Sequence, residues 1–573
     1  MCKQTAFCTY TIGEDGLRLQ TPCLSRRFSN VVSAEGDFVT PRSRALPFYE
    51  IRAERADGTK TTYWLWEDLP VVRMGDDSED PVVTLHGEHW TIRAVRLNAF
   101  TDDFDTLTEE IEFNLFFKGI CKPVEGDIFF FEDTLTDKAY ILISETPDHV
   151  HGKIWANRNG DKTAHFLHLE NGGYPVVLGV CKAGECEALC RNYLRHVNNC
   201  PELITMSNTW GDRNGSKRIC EAFVWDELTA AQEIGVDVLQ IDDGWQAGNT
   251  IYEIQRDERG HQVFYDHYWD LNTQRFPNGI TPITSKARQN GLRAGLWFAP
   301  SSQDCFAKIE RDKAVLKQMY EEWGVRFFKL DMYQATDVAH TRKMQELLAF
   351  IYSLGSDVSV QMDVTRYERL NYLCGAEYGT IFVENRYTKS ANYFPHRTLR
   401  NLWDICRYVP SNRFQFELVN PDLYPESYQE KDFLAPQYYD MDYLFASVML
   451  SNPLFWLELQ HLGEDRRRQL APLMALWKEH RTELANADVA PIGEKPCGKS
   501  HTGFLVSKNG VPTDLLLFRE ATDRSTGCFT LPAEGMTAEL LCSNGKVELS
   551  VNGSTLTATY EKPRSYAWIK LKA

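Results

Sequence analysis

Several things are missing from this chain, and each absence narrows what it can be. No stretch approaches the roughly 20 consecutive apolar residues that a bilayer-spanning helix needs. The opening MCKQTAFCTYTIGEDG has no apolar core of signal-peptide length. The expectation is a cytoplasmic protein with no membrane partner. Basic excess is missing as well: the formal charge is −18, whereas sequence-independent binding to nucleic acid or anionic lipid requires a cationic face that displaces counterions. No GxGxxG follows an apolar run, which removes support for a nucleotide-binding open sheet. The 15 cysteines are odd in number, scattered and without a paired CxxC. That pattern suits free thiols in a reducing compartment better than a disulfide framework or a zinc site. The local group Cys181, Cys186 and Cys190 reads as small apolar filler along a helix, and no metal or organic cofactor is expected.

What is present is a balanced globular composition, 43% hydrophobic and 25% charged over 573 residues, enough for two or three domains. Up to about residue 180, TKTTYWLWED, PVVTLHGEHWTIRAVRL, GDIFFFEDTL and KAYILISET are rich in aromatic and β-branched residues and broken by Gly, Asp and Pro. This predicts a β-sandwich over 1–180. In GECEALCRNYLRHVNNC, Leu189, Tyr193, Leu194 and Val197 recur at helical spacing, giving a linker helix within 181–200. From 201 to 490, short apolar runs alternate with longer amphipathic segments. Eight runs are found: LITMSN, VDVLQID, LRAGLWF, VRFFKLD, VSVQMD, TIFVE, FQFEL and PLFWLEL. Eight strand-and-crossover units in this length predict an α/β fold, a closed (β/α)8 TIM barrel. The remainder, 491–573, returns to strands with NG turns and predicts a C-terminal all-β sandwich.

Catalytic groups of such barrels sit at the C-terminal ends of the strands, which singles out Asp242, Asp243, Asp331, Asp363 and Glu384. Lys329 precedes Asp331 by two residues and shares its face, because strand side chains alternate. A cation there favours the ionised carboxylate, the form that attacks an anomeric carbon. A second, protonated carboxyl must then supply the leaving oxygen. Glu384, ending the sixth run, is the first choice for it and Asp363 the competitor. Arg386 contacts substrate, clamps Glu384, or makes a plain salt bridge in a loop. His340, His396 and His461 have no nucleophile paired with them.

The stretches QIDDGWQAG (240–248), RFPNGITPITSKARQNGLRAGLWFAP (275–300) and FFKLDMYQ (327–334) resemble, in order, the barrel motifs of glycoside hydrolase family 36. The resemblance implies a retaining α-galactosidase with Asp331 as nucleophile and Lys329 on the sugar. It further implies Asp242 and Asp243 on the 4- and 6-hydroxyls, Trp245 after them also at the sugar, and Trp297 lining the sugar pocket. Trp210 matches a tryptophan after the first strand. The chain departs from the family's pattern in QMDVTR (361–366), in Glu384-Asn385 where an aspartate precedes the asparagine, and in Ala299. The expected partner is an oligosaccharide or glycoside substrate, and a homo-oligomer is compatible with the reading. Three alternatives stay open: an α-N-acetylgalactosaminidase, a transglycosylase, and an inactive carbohydrate-binding protein on the same scaffold.

Overall fold

The structure, a computed structural model, describes residues 2–572 apart from 6–7, 23, 76–81, 88, 100–105, 116–118, 159–162, 213–214, 252, 254, 257–262 and 367. The N-terminal part is all β. It comprises a nine-stranded antiparallel sheet and two four-stranded sheets, and the four aromatic-rich stretches fall on its strands Lys60–Leu65, Val83–His86, Trp90–Leu97, Ile128–Asp133 and Lys138–Ser144. Pro81 and Glu88 of the second stretch lie outside the described residues. The helix Cys186–Val197 follows and buries Leu189, Tyr193, Leu194 and Val197, with Cys186 and Cys190 on the same covered side. Its polar side is tied to the far end of the chain. Arg191 pairs with Asp488 through Nε and Nη2 at 2.9 and 2.8 Å, and Arg195 Nη1 reaches the same carboxylate at 2.8 Å.

All eight apolar runs form parallel strands: β1 (Met206–Asn208), β2 (Val238–Ile241), β3 (Arg293–Phe298), β4 (Phe327–Leu330), β5 (Ser359–Asp363), β6 (Thr380–Phe382), β7 (Phe414–Gln415 and Glu417–Leu418) and β8 (Leu454–Phe455). Strand β7 has two halves. The first is hydrogen-bonded to β6 and the second to β8, which in turn pairs with β1, and this closes the ring. Met206, Val238, Phe327, Phe382, Leu454 and Trp456 fill the interior as one cluster, the packed core expected of a small barrel. Among the described residues, the connections after β1, β2, β3, β4, β6 and β7 each carry a helix of eight residues or more, and Glu464–Ala485 follows β8. The connection after β5 carries only turns, so amphipathic alternation lapses there. The C-terminal part folds as a five-stranded and a three-stranded antiparallel sheet and docks on the barrel through Tyr443 against Phe518, ring centres 5.5 Å apart, and Lys562 with Asp440 at 2.7 Å. No helix among the described residues is long and apolar enough to cross a membrane.

The exits of β1 and β8 meet so closely that a Cβ on Gly211 would fall 2.2 Å from the Trp456 carbonyl carbon. Next to this contact three carboxyls are buried together. Asp212 accepts the Glu458 amide, Glu227 accepts the amides of Leu459 and Gln460, and Arg218 pairs with Glu458. Burial, with Glu458 adding to it, pushes Asp212 up to about 8 and Glu227 up to about 7. Both values lie above the unfolded ones, so the stability these groups contribute is fully present below about pH 4 and is lost as pH rises through about 7 and 8. Asp212→Asn removes one of the two terms. Its Tm should fall less than that of the wild type between about pH 5 and about pH 9; thermal melts giving equal slopes would contradict the account.

Candidate active site

Alternation along β4 sends Phe328 and Leu330 to the outer core and Phe327 to the interior cluster, leaving Lys329 on the inner face above Phe327. Its Nζ stands 5.5 Å from the centre of the Phe382 ring and 5.2 Å from that of Trp456. Attraction to ring faces is worth about 1 to 2 kcal/mol, less than the several kcal/mol it costs to take an ammonium out of water. Carboxylates therefore decide its state. Nζ donates to Asp242 Oδ2 at 2.9 Å and lies 3.8 Å from Asp363 Oδ2. Burial pulls the Lys329 pKa down, but Asp242, Asp363 and Asp331 outweigh it and hold the pKa above its ordinary value.

Asp331 accepts from Trp297 Nε1 at 3.0 Å on one oxygen, and from Arg369 Nη1 at 2.7 Å and the Met332 amide at 2.6 Å on the other. Burial alone would raise its pKa; the charges of Arg369 and Lys329 win and place it below the ordinary carboxylate value. The same Arg369 Nη1 donates to Asp363 Oδ1 at 3.0 Å. The two carboxyls thus share one donor, and their nearest oxygens are no further apart than those two bonds laid end to end. Burial first, and the Asp331 charge second, push Asp363 up to about 6. One site thus holds two neighbouring carboxyls driven in opposite directions, the arrangement by which one acts as an anion and the other as an acid.

Asp242 and Asp243 leave the end of β2 in opposite directions. Asp242 accepts from Lys329 and from Asn208 Nδ2 at 2.8 Å. Asp243 accepts from Gln246 Nε2 at 2.5 Å and the Ile251 amide at 2.8 Å, and burial pushes it up to about 6. Gly244 makes the turn between this pair and Trp245 with φ at 122°, a conformation that L side chains rarely adopt. Trp297 lies on Asp331 as described. Trp210 is half-buried at the opening, its indole N–H donated to the Tyr387 hydroxyl at 3.0 Å.

Two of the expected site residues spend their polar groups on the protein itself. Trp245, expected at the sugar, is fully buried between Trp269 and Trp323, and its N–H is spent on the Trp297 carbonyl at 2.9 Å. It braces Trp297 from behind. Glu384, expected across the mouth from Asp331, gives its two oxygens to Thr398 Oγ1 at 2.8 Å and Asn401 Nδ2 at 2.7 Å on the helix Pro395–Ile405. Thr398 and Asn401, three apart, share a helix face, and the glutamate's extra methylene lets it reach them. Arg386 is buried, and its main-chain amide donates to Glu417 Oε1 at 2.5 Å.

No protein-family model matches the chain. Among curated proteins, a probable α-galactosidase B of Penicillium simplicissimum is 27% identical over 103 residues, 18% of this chain and 21% of that one; the chain thus matches about a fifth of the length of this relative. Among solved structures, a variant of the GH36 α-galactosidase AgaA of Geobacillus stearothermophilus in complex with raffinose superposes with a TM-score of 0.62 at 13% identity, covering 100% of this chain and 90% of that one. The α-galactosidase of Lactobacillus brevis gives 0.61 at 10% identity, covering 100% and 98%. The chain has the fold of the GH36 α-galactosidases.

Within that GH36 fold, sequence reasoning passed over four residues of the mouth. Asn208 and Glu417 close or nearly close the runs LITMSN and FQFEL, so the strand-end criterion, applied to all eight runs, would have found them. Tyr387 ties Trp210 to Asn385, its hydroxyl donating to Asn385 Oδ1 at 2.5 Å. Arg369 carries no such signal. It comes from the helix-free connection after β5, where Glu368 turns with φ at 62° and its carbonyl accepts the Ala335 amide at 2.7 Å. That bond joins the loop to the one after β4 and brings the guanidinium over Asp331. Removing the guanidinium removes the largest opposing charge, so Arg369→Ala should raise the Asp331 pKa. Carboxyl-carbon NMR titration of labelled aspartates, assigned with Asp331→Asn, should show the midpoint move to higher pH; an unmoved midpoint would count against the electrostatic role.

Proposed function

We propose that the protein hydrolyses terminal α-galactosides with net retention through a glycosyl-enzyme on Asp331. The observation that carries this reading is the Asp331 and Asp363 pair joined by Arg369: an ionised carboxylate at the barrel mouth and, beside it, a second carboxyl able to hold a proton near pH 6. Retaining glycosidases need two carboxyls about 5 to 5.5 Å apart, one to attack the anomeric carbon and one to protonate the leaving oxygen. We assign the proton to Asp363, because both Glu384 oxygens are taken up by the helix behind it. The galactose assignment rests on Asp242 and Asp243 and on the fold shared with an α-galactosidase whose structure contains raffinose. Asp331, once it forms the ester with the sugar, loses its charge, so Arg369 turns wholly to Asp363 and stabilises it as the base that activates water. In this scheme Lys329 holds Asp242 in place and hands none of its protons to substrate.

Replacing Asp331 by alanine should nearly abolish turnover of an aryl α-galactoside, and azide should partly restore it with a β-galactosyl azide as product. Wild-type turnover in Asp331→Ala ends the nucleophile assignment. The acid is identified by leaving-group dependence, since its proton matters most for a poor leaving group. Asp363→Ala should be crippled on an ordinary disaccharide yet little slowed in glycosylation by a dinitrophenyl galactoside, whereas Glu384→Ala should change both alike. The opposite pattern transfers the acid role to Glu384. For the sugar, aryl α-galactosides should be cleaved at least about a hundredfold better than α-glucosides, because an epimer leaves buried polar groups unpaired; comparable kcat/KM values would refute the galactose assignment.

A further inference from the structure

Glu417 is an inward carboxyl of the barrel wall that the proposed chemistry does not use. Phe414, Phe416 and Leu418 belong to the outer core, so Gln415 and Glu417 point inward. Glu417 lies in the second half of β7, just past the residue at which that strand changes partner from β6 to β8. Its side chain is fully buried. Oε1 accepts the main-chain amide of Arg386, and Oε2, also buried, has no hydrogen-bond partner among the described residues.

The amide that Glu417 holds belongs to a segment that builds the mouth. Glu384 leans on the helix Pro395–Ile405, the Tyr387 amide donates to Asn392 Oδ1 at 2.7 Å, and the Tyr387 hydroxyl links Asn385 to Trp210. Between Glu384 and Tyr387, the bond to Glu417 ties this segment to the barrel wall. We propose that Glu417 is a positioning residue for the reaction at this mouth, holding the segment 384–387 through the Arg386 amide, and that it does so as the neutral acid.

Neutrality follows from what surrounds it. Glu384 and Tyr387 face it from the β6 connection, with Tyr393 alongside, its hydroxyl 3.5 Å from the Glu417 carbonyl, and Asp363 acts from β5. Arg386 opposes them. On the other side β8 presents Leu454 and Phe455, and the helix Met441–Val448 turns its two ionisable groups, Asp442 and Tyr443, to Tyr566 and Phe518 of the C-terminal part. Burial first, then Glu384, and more weakly Asp363, drive the carboxyl well above its ordinary pKa against Arg386. An anion at this point would face Glu384 with no donor on Oε2, and a buried charge without donors costs far more than an unpaired hydroxyl. Ionisation then sets Glu417 against Glu384 and loosens the segment between them.

The proposal rests on the functional reading above only for its kinetic arm, so its first two tests need no substrate. Infrared difference spectra of wild type against Glu417→Gln near neutral pH should show the carbonyl stretch of a buried protonated carboxyl in the wild type alone; spectra without that difference overturn the neutral state. Hydrogen exchange across 384–388 should stay at the wild-type rate in Glu417→Gln, which keeps the acceptor, and rise about fivefold or more in Glu417→Ala, the loss of one hydrogen bond. Equal exchange in both overturns the positioning role, and if the alanine variant does not fold, faster exchange in the glutamine variant does so. On an aryl α-galactoside, Glu417→Gln should keep kcat/KM within about threefold, while Glu417→Ala loses about tenfold or more in kcat. A glutamine variant as poor as the alanine one overturns the proposal. A wild type that cleaves no α-galactoside refutes the functional reading instead and leaves the spectra and the exchange rates to judge Glu417.

Discussion

An ammonium buried above an aromatic floor is the constraint around which the barrel mouth is organised. Lys329 is 3% exposed, and neither Phe382 nor Trp456 can replace the hydration it has lost. Carboxylates must gather around it. Asp242 comes from β2, Asp363 from β5 and Asp331 from the end of its own strand, and each is brought in by a different crossover. Once three carboxyls surround one ammonium, a second cation is required, and Arg369 supplies it from the loop after β5. The balance of burial against these two cations separates the carboxyls. Asp331 stays ionised because the two cations outweigh its burial, whereas at Asp363 burial first and the Asp331 charge second outweigh the same two cations, and it holds a proton to higher pH.

The barrel was legible in the sequence because its strands are continuous apolar runs ending in polar residues, and all eight runs became strands. Asp331, Asp242, Asp243 and Asp363 were legible for the same reason: a carboxylate that ends a barrel strand has few places to go except the mouth. The orientation of a side chain just beyond a strand is not set by the strand. Glu384 lies two residues past Phe382, and a helix entering with Thr398 and Asn401 turned it aside. Trp245 shows a related limit, since a tryptophan beside a motif aspartate reads the same whether it lines a pocket or braces another tryptophan, as it does Trp297. Arg369 was beyond reach because its position depends on a left-handed turn at Glu368 and a single main-chain bond to Ala335, neither of which leaves a periodicity to read.

The split in β7 places opposite demands on one short strand. A residue between its halves lets the strand bond to β6 and then to β8, closing the ring, and it leaves Glu417 at the inner face where the ladder changes sides. One oxygen of that carboxyl then accepts the main-chain amide of Arg386 in the connection after β6. Closure of the sheet and support of the mouth are therefore met at the same position.

The tie between the linker helix and Asp488 bears on the order in which the molecule is made. Arg191 is buried in the finished protein, yet the carboxylate that neutralises it lies 297 residues further along the chain. A chain emerging from the ribosome completes the N-terminal sheets and the linker helix while both Arg191 and Arg195 still lack that partner, and the whole barrel must be synthesised before it arrives. Contacts of such separation form late. The strand Asp488–Gly493, the first of the C-terminal part, thus acts as a latch: until Asp488 is in place, the helix that joins the N-terminal sheets to the barrel carries two charges that lack this carboxylate. Truncation just before residue 488 would leave a nearly complete barrel permanently unlatched from the sheets that precede it.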